Sequence, residues 1–270
     1  MSEMRQIASH LVTPAKGILA ADESTGTIKK RFDSIGVEAS QETRRQYRQM
    51  LFTTSSLGEH ISGVILYDET IRQSTDDGVQ FTKVLEDAGV IPGIKVDTGA
   101  KPLALFPGET VTEGLDGLRE RLAEYREIGA RFAKWRATIF IGQHRPTDFA
   151  IAANAHAMAR YASLCQEGGL VPIVEPEVLM EGDHHIVACE TATSRTLQAL
   201  YAQLDEHRVD LSATLLKVNM VLCGKGCHDK APHAEIAETT IRTLGANVPT
   251  EVPGIVFLSG GMSDEDATIR

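Results

Sequence analysis

The stretch Ala213-Thr214-Leu215-Leu216-Lys217-Val218-Asn219-Met220-Val221 sets a lysine inside an otherwise apolar run. A run of this length suits a strand buried on both faces, as a parallel sheet requires. A lysine there is costly unless its charge is paired or lost. Six other apolar runs repeat the arrangement: Ile18 to Ala21, Ile61 to Tyr67, Ile91 to Val96, Phe132 to Phe140, Leu170 to Val174 and Ile255 to Leu258. Each closes on polar residues. These are Asp22-Glu23-Ser24, Asp68-Glu69, Lys95-Val96-Asp97, Lys134-Trp135-Arg136, Glu175-Pro176-Glu177 and Ser259-Gly260-Gly261.

Between the runs lie segments with helical spacing. Leu115, Leu118, Leu122 and Tyr125 share one face, and further amphipathic stretches cover about 41–53, 147–167, 186–206 and 234–244. Strand and helix alternate, which predicts an α/β fold. No G-x-G-x-x-G follows any run, which argues against an open dinucleotide-binding sheet. Polar residues at nearly every strand end predict a TIM (β/α)8 barrel, whose active site is assembled from many strand ends. No Pro/Gly/Ser-rich linker interrupts the rhythm, so residues 1–270 read as a single domain. From residue 18 to residue 255 the runs recur about every 40 residues. An eighth would begin at about residue 295, beyond Arg270, so the expectation is that the eighth unit and the carboxy-terminal tail are missing from this chain.

The composition is that of a globular protein, 42% hydrophobic and 24% charged. A formal net charge of −10 argues against nucleic acid as partner but leaves room for a small anion in a local basic pocket. No run reaches the roughly 18 apolar residues of a membrane span, and Met1-Ser2-Glu3-Met4-Arg5 lacks a signal-peptide pattern, so the cytoplasm is the expected compartment. Four sparse cysteines, Cys165, Cys189, Cys223 and Cys227, read as reduced thiols. Cys223-x3-Cys227-His228, with His233 and His184-His185, does not have the spacing of a standard zinc site, and no metal or other cofactor is expected.

Lys217 admits two readings, an ion pair at the barrel mouth or an amine nucleophile. A free lysine is charged at neutral pH, and reactivity requires its pKa to fall by about 3 units. Lys95, Lys134 and Arg136 converge on the same mouth, where they would repel that charge and attract phosphate. Glu175, Glu177 and Asp22 are placed either as partners of these cations or as proton carriers. Ser259-Gly260-Gly261 follows the seventh run, a position often used for phosphate in barrels. Ser24, Thr27 and Arg31 stand at a helix start that serves either as a second anion site or as a plain cap.

Taken together, these segments resemble class I fructose-bisphosphate aldolases. The likeness is carried by Gly17-Ile18-Leu19-Ala20-Ala21-Asp22-Glu23-Ser24-Thr25-Gly26, Gly63-Val64-Ile65-Leu66, Gly93-Ile94-Lys95-Val96-Asp97, Phe132-Ala133-Lys134-Trp135-Arg136, Val174-Glu175-Pro176-Glu177, Leu215-Leu216-Lys217 and Phe257-Leu258-Ser259-Gly260-Gly261. The resemblance implies a cytoplasmic, metal-independent lyase, usually a homotetramer, that cleaves fructose 1,6-bisphosphate. By it, Lys217 matches the Schiff-base lysine, Glu175 the proton shuttle, Asp22 the base on the C4 hydroxyl and Lys134 the lysine beside the Schiff base. Lys95, Arg136, Ser24, Arg31, Ser259 and Gly260 match sugar- or phosphate-binding positions. Val218 replaces a proline and Thr27 a serine; the family's phosphate-binding arginine after strand eight and its terminal tyrosine would lie beyond Arg270.

Overall fold

A computed structural model of the chain describes residues 2–260 and 262–269. Its strands are β1 (Gly17–Ala21), β2 (Ile61–Leu66), β3 (Ile91–Lys95), β4 (Gly99–Pro102), β5 (Thr110–Glu113), β6 (Phe132–Ile139), β7 (Val171–Val178), β8 (Leu215–Asn219) and β9 (Ile255–Leu258). Seven of them form one parallel sheet in the order β1-β2-β3-β6-β7-β8-β9. These seven are the seven apolar runs. The sheet curls into an α/β barrel of the TIM type, and among the described residues its end strands β1 and β9 do not pair with each other. Burial follows position in the sheet: all eight residues of β7 are buried, but only Ala21 of β1 and none of β9.

The helices are α1 (Ser2–Leu11), α2 (Thr25–Ser34), α3 (Gln41–Phe52), α4 (Leu57–His60), α5 (Asp68–Ile71), α6 (Phe81–Asp87), α7 (Leu118–Ile128), α8 (Asp148–Glu167), α9 (Ile186–Glu206), α10 (His233–Asn247) and α11 (Asp264–Ile269). Their starts follow local chemistry. Ser24, Ser40 and Thr147 each accept the backbone N–H three residues on, capping α2, α3 and α8. Gly129, with φ of 119°, ends α7 in a left-handed conformation that a side chain would resist. The β4–β5 hairpin has no counterpart among the apolar runs, since its residues are short, polar and largely outside the core.

Alternation along each strand divides the core in two. Val64, Leu66, Ala133, Trp135, Ala137, Val174, Leu216 and Val218 face outward and pack under the helices, where Trp135 stacks on Tyr161 of α8 at 5.5 Å. Ile65, Phe132, Val171, Ile173 and Leu215 face inward and meet Met4, Ala8 and Leu11 of α1. Helix α1 thereby plugs the amino-terminal end of the barrel and gives the site an apolar floor.

The Phe132 ring dictates two of the glycines. A Cβ on Gly93 would lie 2.3–2.5 Å from three Phe132 ring carbons, and one on Gly63 would lie 2.5 Å from Leu11 and 3.1 Å from the same ring. These glycines are the space that lets a large ring sit across three strands. Gly93→Ala should therefore cost about 1–3 kcal/mol of stability by overpacking. In urea unfolding, adding Phe132→Leu should recover part of that loss, and no recovery would refute the packing account.

Candidate active site

Above the floor the inward positions turn from apolar to charged. Phe132 is followed on its face by Lys134, Ile173 by Glu175, Leu215 by Lys217 and Gly93 by Lys95, while Asp22 stands one residue past β1. All five line one cavity of about 840 Å³, with Ser24, Thr27, Asp97, Arg136 and Thr138. The barrel therefore gathers side chains drawn from five separate strands.

Lys134 sits at the centre, only 3% exposed. Its Nζ is 2.7 Å from Asp22 Oδ2 and 3.3 Å from Glu175 Oε2. The second contact is an ion pair without hydrogen-bond alignment, since Glu175 Oε2 has no hydrogen-bond partner. The other oxygen of Glu175 is 3.1 Å from Lys217 Nζ. One carboxylate thus bridges two amines. Lys95 pairs with Asp97 at 2.8 Å, and Arg136 pairs with Glu177.

The cations are matched by carboxylates in equal number, which corrects the expectation of a predominantly repulsive cluster. Burial on its own would lower the Lys134 pKa, but Glu175, Asp22 and Asp97 outweigh it and hold the ammonium above the ordinary lysine value. Burial on its own would raise the Asp22 carboxyl; Lys134, Lys217 and Lys95 reverse this and hold it below the usual carboxylate range. Lys134 is therefore a charged lysine, and Asp22 an ionised acid, at neutral pH.

Ser24 and Thr27 line the cavity where α2 begins, their hydroxyls 3.1 Å apart. Arg31 lies at the exposed end of α2 and turns back to Glu23 instead of reaching the cavity. Glu177 is buried behind Arg136 and does not line the cavity itself. Ser259 is exposed and Gly260, with φ of 60°, follows it at the end of β9, both outside the cavity lining. Gly261 lies outside the described residues. No group of three or more His, Cys, Asp or Glu side chains among the described residues is placed to hold a metal ion.

Several contributors were not singled out from the sequence. Asp97 is buried and takes three roles, pairing with Lys95 and accepting the backbone N–H groups of Gly99 and Arg136. Its signal was the Lys95-x-Asp97 spacing, which puts both on one strand face. Buried Arg48, from α3, holds Glu23 at 2.7 Å beside Asp22. Tyr67, Asp68, Arg72, Arg121 and Tyr125 form the outer wall; Asp68 stands at the polar end of the second apolar run, and no pattern in the chain connects Arg72, Arg121 or Tyr125 to the site.

Comparison with known proteins gives a consistent result. A family model described as fructose-bisphosphate aldolase class-I matches residues 3–270. A probable fructose-bisphosphate aldolase class 1 from Xanthomonas campestris pv. campestris is 57% identical over 268 residues, 99% of this chain and 80% of the relative. Fructose-bisphosphate aldolase C of Carassius auratus is 51% identical over 269 residues, covering 99% of this chain and 74% of that protein. The solved structure of the aldolase from Plasmodium falciparum superposes with a TM-score of 0.98 at 47% identity, covering 99% of this chain and 78% of that one.

The charge pairing sets the pH dependence of stability. Asp22 has a depressed folded pKa, so its contribution is complete above about pH 4 and fades as pH falls through the folded value. Asp22→Asn, which strips Lys134 of its nearer partner, should cost about 3–5 kcal/mol near neutrality. The gap between wild type and variant, followed by denaturant unfolding, should stay level from pH 5 to about 8 and narrow below pH 4. A gap independent of pH down to pH 2 would rule out an ionised Asp22.

Proposed function

This chain belongs to the class I fructose-bisphosphate aldolases, and on that premise we propose how its own side chains cleave fructose 1,6-bisphosphate to dihydroxyacetone phosphate and glyceraldehyde 3-phosphate. The protein is a carbon–carbon lyase of a metal-independent class, and its chemistry runs through a lysine imine. The observation that carries the assignment of roles is the unbroken chain Lys217, Glu175, Lys134, Asp22, linked at 3.1, 3.3 and 2.7 Å.

Lys217 is the nucleophile. Attack on the C2 ketone needs a free lone pair, and Glu175 Oε1, at 3.1 Å, is placed to take the proton. Glu175 then returns that proton to the carbinol oxygen as water leaves. The resulting iminium draws electrons from the C3–C4 bond. Asp22, kept ionised by Lys134, removes the C4 hydroxyl proton; the bond breaks and the triose aldehyde departs. Protonation of the enamine at C3 and hydrolysis of the imine release the second triose phosphate. Lys134 does not act as a nucleophile, because two carboxylates hold its proton; it orients Asp22 and Glu175 instead.

The phosphates are assigned to two separate groups of residues, one lining the cavity and one following β9. Ser24 and Thr27 offer hydroxyls at the amino-terminal end of α2, where anions are favoured, with Lys95 across from them and Arg31 able to swing in from its pairing with Glu23. Ser259, Gly260 and Gly261 are assigned to the other phosphate, with Arg136 and Glu177 toward the sugar. Two anion sites favour a bisphosphate over a monophosphate. The glycolytic chemistry and four free thiols support a cytoplasmic setting. Leu105, 97% exposed, beside the stacked pair Phe106 and Phe149, supports a homo-oligomer, by family resemblance a tetramer.

Borohydride reduction in the presence of dihydroxyacetone phosphate should add to the peptide containing Lys217 the mass of one substrate less one water plus two hydrogens. An adduct on Lys134 instead, or none, would overturn the assignment. Glu175→Gln should lower kcat by about 10²–10⁴-fold with a smaller change in KM, since it removes proton transfer and leaves the anion sites intact. Unchanged kcat would remove Glu175 from the mechanism.

A further inference from the structure

The turn after β8 carries chemistry that the aldol reaction does not use. Cys223 and Cys227 both donate to one acceptor, the carbonyl oxygen of Asp229, at 3.8 and 3.3 Å. The turn therefore folds two thiols onto a single point. Each sulfur also meets one further polar group. Cys227 Sγ lies 3.5 Å from Nδ1 of exposed His185, and Cys223 Sγ accepts the N–H of Ala231 at 3.4 Å. Cys223 lines a cavity of about 270 Å³ together with Lys225, Lys230 and Asp266. Cys223 is 7% exposed, its exposure being toward this cavity.

All four cysteines are buried, and the other two lie apart from the shared Asp229 acceptor. Cys165 is wholly buried, and burial pushes its thiol far above the ordinary range. Cys189 is likewise buried and shifted upward. Neither lines this cavity.

We propose that Cys223 and Cys227 form a reversible redox site, oxidised by hydroperoxides to a disulfide across the turn. The Cys223 thiolate attacks one peroxide oxygen, the O–O bond breaks, and hydroxide leaves to become water, giving a sulfenic acid. Cys227 passes its proton to His185 and attacks the sulfenic sulfur. The S–O bond breaks, and the departing hydroxide takes that proton. Two thiols and one hydrogen peroxide thus give one disulfide and two waters, with two electrons moving from sulfur to oxygen.

The site occupies a sensitive place. The turn follows directly from the strand carrying Lys217 and is zipped to the turn after β7 by Gly224 N–H to His184, Lys225 N–H to Met180 and Gly226 N–H to Gly182. Closing the disulfide withdraws both thiols from Asp229 and Cys223 from Ala231.

Trypsin separates the two cysteines at Lys225, so the test is direct. After titration of the purified chain with hydrogen peroxide and alkylation, peptides Val218–Lys225 and Gly226–Lys230 should appear joined, two hydrogens below their summed mass. Dithiothreitol should separate them, while Cys165 and Cys189 remain alkylatable. Cys223→Ser should abolish the joined species, and His185→Asn should slow its formation several-fold. Recovery of both peptides separately alkylated at full peroxide, or cross-linking of either cysteine to Cys165 or Cys189 first, would overturn the proposal.

Discussion

Everything in the site follows from burying the Lys134 ammonium. Its side chain is almost sealed from water on the central strand of the sheet. An unpaired ammonium in that setting costs several kcal/mol. The fold offsets this by bringing Asp22 from β1 and Glu175 from β7 to the same nitrogen, so that strands far apart in sequence are held in one register by charge. Because Glu175 also touches Lys217, the four groups form a coupled system. The two acids differ in setting: Glu175 is bridged between two amines, and Asp22 is held as an anion by its lysine neighbours.

This arrangement needs a dry side and a wet side, and strand alternation supplies both. Two residues along a strand carry the chain about 6.5–7 Å, enough to pass from the apolar floor to the charged layer. Phe132 precedes Lys134, Ile173 precedes Glu175, and Leu215 precedes Lys217. Helix α1 closes the bottom, so the charges rest on an apolar layer and face solvent only through the cavity. Such a floor strengthens each ion pair relative to water. It also explains the otherwise weak glycines of β2 and β3, whose missing side chains are occupied by the Phe132 ring.

The seven strands were legible because a parallel strand buried on both faces leaves an uninterrupted apolar run. The site was legible because barrels collect strand ends, so Asp22, Lys95, Lys134, Glu175 and Lys217 could be named without coordinates. Pairings were not. Whether Lys134 repels Lys217 or is absorbed by two carboxylates depends on distances of about one side-chain length, and composition at the strand ends is compatible with either. Residues in loops and helices, such as Arg48 and the outer wall of Tyr67, Arg72 and Tyr125, enter the site through tertiary packing alone. The β4–β5 hairpin carries no apolar alternation to announce it. Arg31, Ser259 and Gly260 show the opposite case: their motif positions were evident, but their side chains or backbone stand away from the cavity.

The same alternation decides which departures from the family pattern matter. Within Lys217-Val218-Asn219, Lys217 faces the cavity, whereas Val218 is fully buried on the helix-facing side. Exchanging the family's proline for valine there alters packing under the helices, where an apolar side chain of similar size serves equally well. Asn219 is buried too, and its Oδ1 accepts the Val178 N–H at 2.8 Å, tying the end of β8 to the end of β7. That bond, and the zipped turns beyond it, hold together the ends of the strands that carry Glu175 and Lys217. Position 218 accepts an apolar side chain of similar size because it is not part of this tie; Asn219 has no comparable freedom, since a side chain without an oxygen there would leave a buried N–H unpaired.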